Sequence, residues 1–172
     1  MDNHIMDIIK KANKMVSDAG TRDPHKIANE LGIQIMPVDF KTQKGAYKVM
    51  MRNRFIFLKS DLHPVMENIV LFHEIGHDTL HRTEAIQAGG FQEFNIFNMR
   101  ESRMEYEANI FASQVSLSDD DVLELIYNGY DTQQIARELH SDINLVALKT
   151  DALIMQGYDF RPQEHNNKFL KY

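Results

Sequence analysis

The sequence predicts an α+β domain: a short antiparallel or mixed sheet beside two packed helices, with more helices toward the carboxy terminus. Three observations predict it. Alternating apolar residues at 33–38, 45–51 and 54–58 have the two-residue period of strands. The stretches around His73 and Glu105 have instead the three-and-four spacing of helices. Past Asp119, helix-start signals recur with no strand pattern between them.

With 172 residues and 43% hydrophobic content, the chain can bury one sizeable core. The expected division is a core over residues 1–118, a helical subdomain packed on it over 119–157, and a tail over 158–172. A formal charge of -6 argues against a general binder of phosphate backbones. There is no cysteine, so no disulfide framework forms, and any metal must be held by histidine and carboxylate groups. No signal-like amino terminus and no run of about 18 apolar residues occurs, so a soluble cytoplasmic protein with no membrane partner is expected.

Ile5, Ile8, Ile9, Ala12, Met15, Val16 and Ala19 mark a first helix that Gly20 should end. Asp23-Pro24 supplies a cap and a first-turn proline for a short helix over 25–31, stopped at Gly32. His25 reads there as a surface or capping side chain. Ile33 to Val38 is a short strand, with Pro37 favouring its end or an exposed edge. Two further strands turn around Arg52-Asn53 as an antiparallel hairpin. An edge strand in this place could pair with the backbone of an extended peptide.

Pro64 opens the helix that carries His73-Glu74-Ile75-Gly76-His77. On a helix, His73 and His77 lie one turn apart on one face, so both imidazoles reach one ion. Glu74 sits beside them, placed to take a proton from a water that the ion activates. Gly76 costs roughly 1 kcal/mol inside a helix, which is rationalised if another element packs against the backbone there. His81 extends the four-residue series, but the axis advances about 6 Å per step, so three such histidines do not converge on one ion. It reads as a hydrogen-bonding group at a cleft rim or as a cap.

The run over 82–100, with Gly89-Gly90, reads as a loop or insertion, serving equally as a cleft lid or as a structural wrap. The next helix, from Glu101, offers a third ligand. Glu105 and Asn109 are four apart, so a carboxylate and an amide share the face that could meet the histidines. Ala108, Phe111, Ala112 and Val115 form its packing stripe. Glu107 points to a different side, and Glu101 could either support the site or form a surface salt bridge.

Asp119-Asp120-Asp121 places negative charge at the start of another helix. Helices over 131–139 and 145–153 follow and imitate a helix-turn-helix. Lys149 is the only strong phosphate-binding charge on the second, so a packing subdomain is favoured over direct DNA binding.

Two of these stretches carry a resemblance. His73-Glu74-Ile75-Gly76-His77 and Glu105-Tyr106-Glu107-Ala108-Asn109-Ile110-Phe111-Ala112 resemble the signature of the ImmA/IrrE-type metallopeptidases, small gluzincin-like proteases of mobile elements, phages and bacterial stress regulators. The likeness spans about residues 20–116. It implies a zincin-like metalloprotease domain with Zn2+ held by His73, His77 and Glu105, Glu74 as general base, and Asn109 orienting a ligand histidine. It also implies zinc-dependent cleavage of a cytoplasmic regulatory protein, in particular a helix-turn-helix repressor. The competing class is a non-catalytic, zinc-stabilised protein-binding or transcription-regulatory module. Tyr47, Tyr106, Arg103, His81 and His140 all have the chemistry to stabilise an oxyanion, and chain distance selects none of them.

Overall fold

The computed structural model describes residues 3–87 and 99–160, with side chains from residue 103 onward in the second segment. Its elements run α1 (Asn3–Ala19), α2 (Pro24–Glu30), β1 (Ile33–Val38), β2 (Gly45–Met50), β3 (Asn53–Lys59), α3 (Pro64–Leu80), α4 (Arg82–Gln87), α5 (Met99–Ser116), α6 (Asp119–Tyr127), α7 (Thr132–Glu138) and α8 (Ile143–Met155). This is the α+β class that the periodicities predict.

The sheet is mixed, in the order β1-β3-β2, with β1 parallel and β2 antiparallel to β3. Met50 pairs with Asn53, and Met51 and Arg52 between them both have positive φ. A two-residue turn with that hand matches the twist of the strands it joins. The hairpin thus turns one residue earlier than the sequence suggests.

Both the sheet and α5 pack against α3. Around α5 are also α1 and α8. Every residue from Ile69 to Asp78 is buried, so the polar side chains of α3 meet protein rather than water. His73 and His77 face α5, while Glu74 and Asp78 meet the sheet. Helices α3 and α5 come close at Gly76: a Cβ there would stand 3.2 Å from the Cα and the carbonyl oxygen of Ala108.

The Asp23 cap is where the sequence puts it, and other helices have caps of the same kind. Asp23 accepts from the His25 and Lys26 amides, His63 precedes Pro64, and Ser118, Asp131 and Asp142 open α6, α7 and α8. The expected loop after His81 is corrected at both ends. Residues 82–87 form α4, and α5 already begins at Met99. Only six residues of weak periodicity form α4, too few for a pattern to register. The lid-or-wrap question falls on 88–98, outside the described residues, as does the tail beyond 160. Among the described residues no helix is long and apolar enough to cross a membrane.

Candidate metal centre

The close approach at Gly76 brings the Glu105 turn of α5 over the His73–His77 face of α3. His73 Nε2 lies 3.1 Å from Glu105 Oε2, and His77 Nε2 lies 3.2 Å from Glu105 Oε1. The two Nε2 atoms are 3.1 Å apart. On a tetrahedral zinc with bonds of about 2.0–2.1 Å, ligand atoms stand roughly 3.3–3.4 Å from one another. Each histidine is nearest a different oxygen of the Glu105 carboxylate, and all three spacings fall slightly inside those of a tetrahedral zinc site. The three side chains are buried, and among the described residues they are the group whose ligand atoms converge closely enough to hold a metal ion.

The electrostatics fit a site that exchanges protons for a cation. Burial works against an imidazolium at both histidines, and the Glu105 carboxylate works for one. At His73 the carboxylate prevails, with help from Glu74 and Asn109, and the pKa is raised. At His77 burial prevails and the pKa falls to about 4, because His73 and His81 add repulsion. Burial alone would raise the Glu105 pKa, but the charges of His77 and His73 outweigh it and hold the carboxyl well below its ordinary range. Burial pushes Glu74 up to about 7, against the pull of His73. A carboxyl poised there can take up and release a proton near neutrality.

Behind the ligand atoms, each histidine has a partner. His73 Nδ1 lies 2.8 Å from Asn109 Oδ1, and an amide oxygen only accepts, so His73 donates from Nδ1 and the lone pair of the neutral ring is at Nε2. His77 Nδ1 lies 3.0 Å from His81 Nδ1. His81 caps α3, one of the two roles its spacing suggests, but it is buried rather than set on a rim.

Glu74 lies against the first residue of β2. A Cβ on Gly45 would stand 2.8 Å from Glu74 Oε1 and 2.5 Å from Val70 Cγ1. The backbone N–H of Tyr47 also hydrogen-bonds the Glu74 carboxylate. Sequence reasoning missed Gly45 entirely, since glycine at the start of a strand commonly reflects only the turn before it. It missed Asp78 as well. This buried carboxylate accepts from the Tyr47 hydroxyl at 2.6 Å, from Arg54 at 2.9 Å and from Arg82 at 2.7 Å, tying β2, β3 and the start of α4 to α3.

Of the oxyanion candidates, Tyr47 spends its hydroxyl on Asp78, while Arg103 and His81 both bond Glu107. His140 lines a separate cavity with Arg22, Val65, Phe72 and Leu139. Glu107 indeed points away from the cluster, toward His81, Arg103 and His4. The side chain of Glu101 lies outside the described residues. His25 is an exposed partner of Glu67. Lys149 is wholly buried, donating to Gln114 at 2.8 Å and to Asp119, so it offers nothing to a phosphate.

Comparison with known proteins covers the same region of the chain. Positions 28–150 match the family model described as the IrrE N-terminal-like domain, a peptidase family, and that span includes the whole cluster. The chain is also similar to a protein of Bacillus phage phi105 named "Uncharacterized immunity region protein 2". The two are 29% identical over 114 residues, which is 65% of this chain and 70% of the relative.

Proposed function

Because this chain belongs to the IrrE N-terminal-like family of peptidases, we propose that it is a zinc-dependent metalloendopeptidase that cuts a regulatory protein, with a helix-turn-helix repressor of a mobile element or stress response as the substrate. The observation that carries the reading is the convergence of His73 Nε2, His77 Nε2 and the two Glu105 carboxylate oxygens at spacings of 3.1–3.2 Å, with Glu74 beside them. In this reading His73, His77 and Glu105 hold the ion. Two neutral imidazoles and one carboxylate, with no thiolate, are a donor set suited to catalytic zinc, which keeps a coordination position open.

Zinc bound there supplies a Lewis acid that activates water and polarises a peptide carbonyl. Everything else falls to the protein. Asn109 holds the His73 ring so that its lone pair faces the cluster. The Glu74 carboxylate accepts the proton of the attacking water at its own oxygen and returns it to the departing amine. Its location against Gly45 and the Tyr47 N–H puts that proton transfer at the margin of β2, an edge strand of the sheet. An extended substrate segment pairing with that edge would be carried past Glu74 by backbone contacts alone. Selectivity for one protein then comes from surfaces away from the cut bond.

The relative's name, an immunity-region protein of a phage, is in keeping with a substrate that regulates a mobile element. The alternative of a non-catalytic module reading DNA through α7 and α8 draws no support from Lys149, which is buried against Asp119 and Gln114. The test is metal analysis of the purified protein together with incubation against the neighbouring repressor. Wild type should contain zinc and cut the repressor. Glu74→Gln should keep the zinc and lose the cleavage, by at least about a hundredfold. Equal cleavage by both proteins would end the assignment of Glu74 as base.

A further inference from the structure

The hydrogen bonds behind His77 form a series that ends on a carboxylate. His77 Nδ1 lies 3.0 Å from His81 Nδ1, and His81 Nε2 lies 3.0 Å from Glu107 Oε2. The other oxygen of Glu107 accepts from Arg103 Nε at 2.7 Å and lies 2.8 Å from His4 Nε2. A carboxylate has no proton to give, so His81 must donate from Nε2. A neutral ring protonated there can only accept at Nδ1. His77 must then donate from its own Nδ1, which leaves the lone pair of its Nε2 directed at Glu105 and His73. Each proton in the series has one place, and the last consequence is the tautomer of a candidate ligand.

We propose that Glu107 and His81 are positioning residues for metal binding, a relay that fixes the tautomer and ring plane of His77 in the way that Asn109 fixes those of His73. The proposal rests on the reading of His73, His77 and Glu105 as zinc ligands. Neither relay residue touches the ion. His81 and Glu107 are 3% and 7% exposed, so water is poorly placed to replace a partner that is removed. Glu107 is itself held on α5 by Arg103 one turn earlier and from α1 by His4, at the wall of a cavity of about 290 Å³ lined also by Asp7, Lys10 and Lys11. The relay therefore extends the metal site to α1, which contributes none of the three proposed ligands.

Outer hydrogen-bond partners of ligand histidines are worth about 10–100-fold in metal affinity. The experiment measures the zinc dissociation constant by competition with a chromophoric chelator for wild type, His81→Phe, Glu107→Ala and the double variant, with Glu105→Ala alongside. Each single relay variant should bind zinc about 10–100-fold more weakly. The double variant should bind no worse than His81→Phe, because the two groups act in series. A merely structural role would lower the melting temperature of the metal-free protein and leave the dissociation constant unchanged. Nitrogen-15 spectra of the zinc-loaded protein give a second readout, in which His77 should carry its proton on Nδ1 and His81 on Nε2. His81 protonated on Nδ1 would overturn the relay. So would wild-type affinity in both single variants when Glu105→Ala has lost zinc, an outcome that leaves the ligand assignment standing. Failure of the wild type to bind zinc would overturn both readings. If His81→Phe does not fold, Glu107→Ala and the wild-type spectra decide the matter.

Discussion

Gly45→Ala adds one methyl group at the point where β2 meets Glu74, and the structure fixes what that methyl would strike. The new Cβ would lie 2.5 Å from Val70 Cγ1, 2.8 Å from Glu74 Oε1 and 3.2 Å from Glu74 Cγ. Carbon atoms in good contact stand about 3.5–4.0 Å apart, so Val70 must retreat by roughly 1 Å and the Glu74 carboxylate by about half that. Val70 and Glu74 belong to the buried stretch of α3, with α5 behind them. Overpacking of this kind costs about 1–3 kcal/mol, a fall in Tm of roughly 2–12 °C for a chain of this size. The effect on turnover should be larger than the effect on stability. A displacement near 1 Å of a proton-transferring group can cost about a hundredfold in rate, whereas His73, His77 and Glu105 are not touched. The expected result is cleavage of the repressor slowed about 10–100-fold, with one zinc per chain retained. The assay compares kcat/KM, metal content and Tm for wild type and variant at a temperature well below both melting points. A variant that cuts at the wild-type rate would refute the idea that Glu74 works from its place against β2.

Two more perturbations probe the frame around the site. Asp78→Asn removes the charge shared by Arg54, Arg82 and the Tyr47 hydroxyl at a position 1% exposed, and should destabilise by about 3–5 kcal/mol, read as a shift in the urea midpoint at constant slope. A loss below about 1 kcal/mol would show that the clamp does not tie the strands to α3. Lys149 gives a pH dependence: burial, partly offset by Asp119, lowers its pKa, so the native chain loses this proton before the unfolded chain does. Between the two pKa values the unfolded state binds more protons, and stability from this group rises with pH. Denaturant midpoints of wild type relative to Lys149→Met should therefore climb as pH is raised above neutrality. A difference that stays flat or falls would contradict the sign.

What was legible in the sequence was whatever depends on short-range spacing. His73 and His77 announce a shared face because four residues make one helical turn, and Gly76 announces a close contact because a helix interior tolerates glycine only at a cost. Glu105 and Asn109 show the same spacing, although the resemblance to a family was needed to choose Glu105 among neighbouring acids. The rest of the site joins residues far apart in the chain. Tyr47 meets Asp78 across 31 positions and His81 meets Glu107 across 26, and neither pair leaves a periodic trace. His81 shows the limit well. Its spacing excluded it as a third ligand, but only the tertiary packing of α5 on α3 reveals that it stands behind His77. The burial of Lys149 was hidden for the same reason, since a lone lysine on an apolar helix reads the same whether it snorkels outward or meets Asp119 inside.

The position of α5 has a further consequence for how an ion held by the cluster would come and go. This helix carries Glu105 and is at the same time packed by α1, α3 and α8, with every residue from Glu107 to Val115 buried. A ligand mounted on a peripheral helix can swing aside when that helix frays, but one mounted here can move far only if the surrounding helices come apart as well. Metal lost through such opening would leave on the timescale of global unfolding, so the stretch from 107 to 115 should be the slowest in the chain to exchange its amide hydrogens.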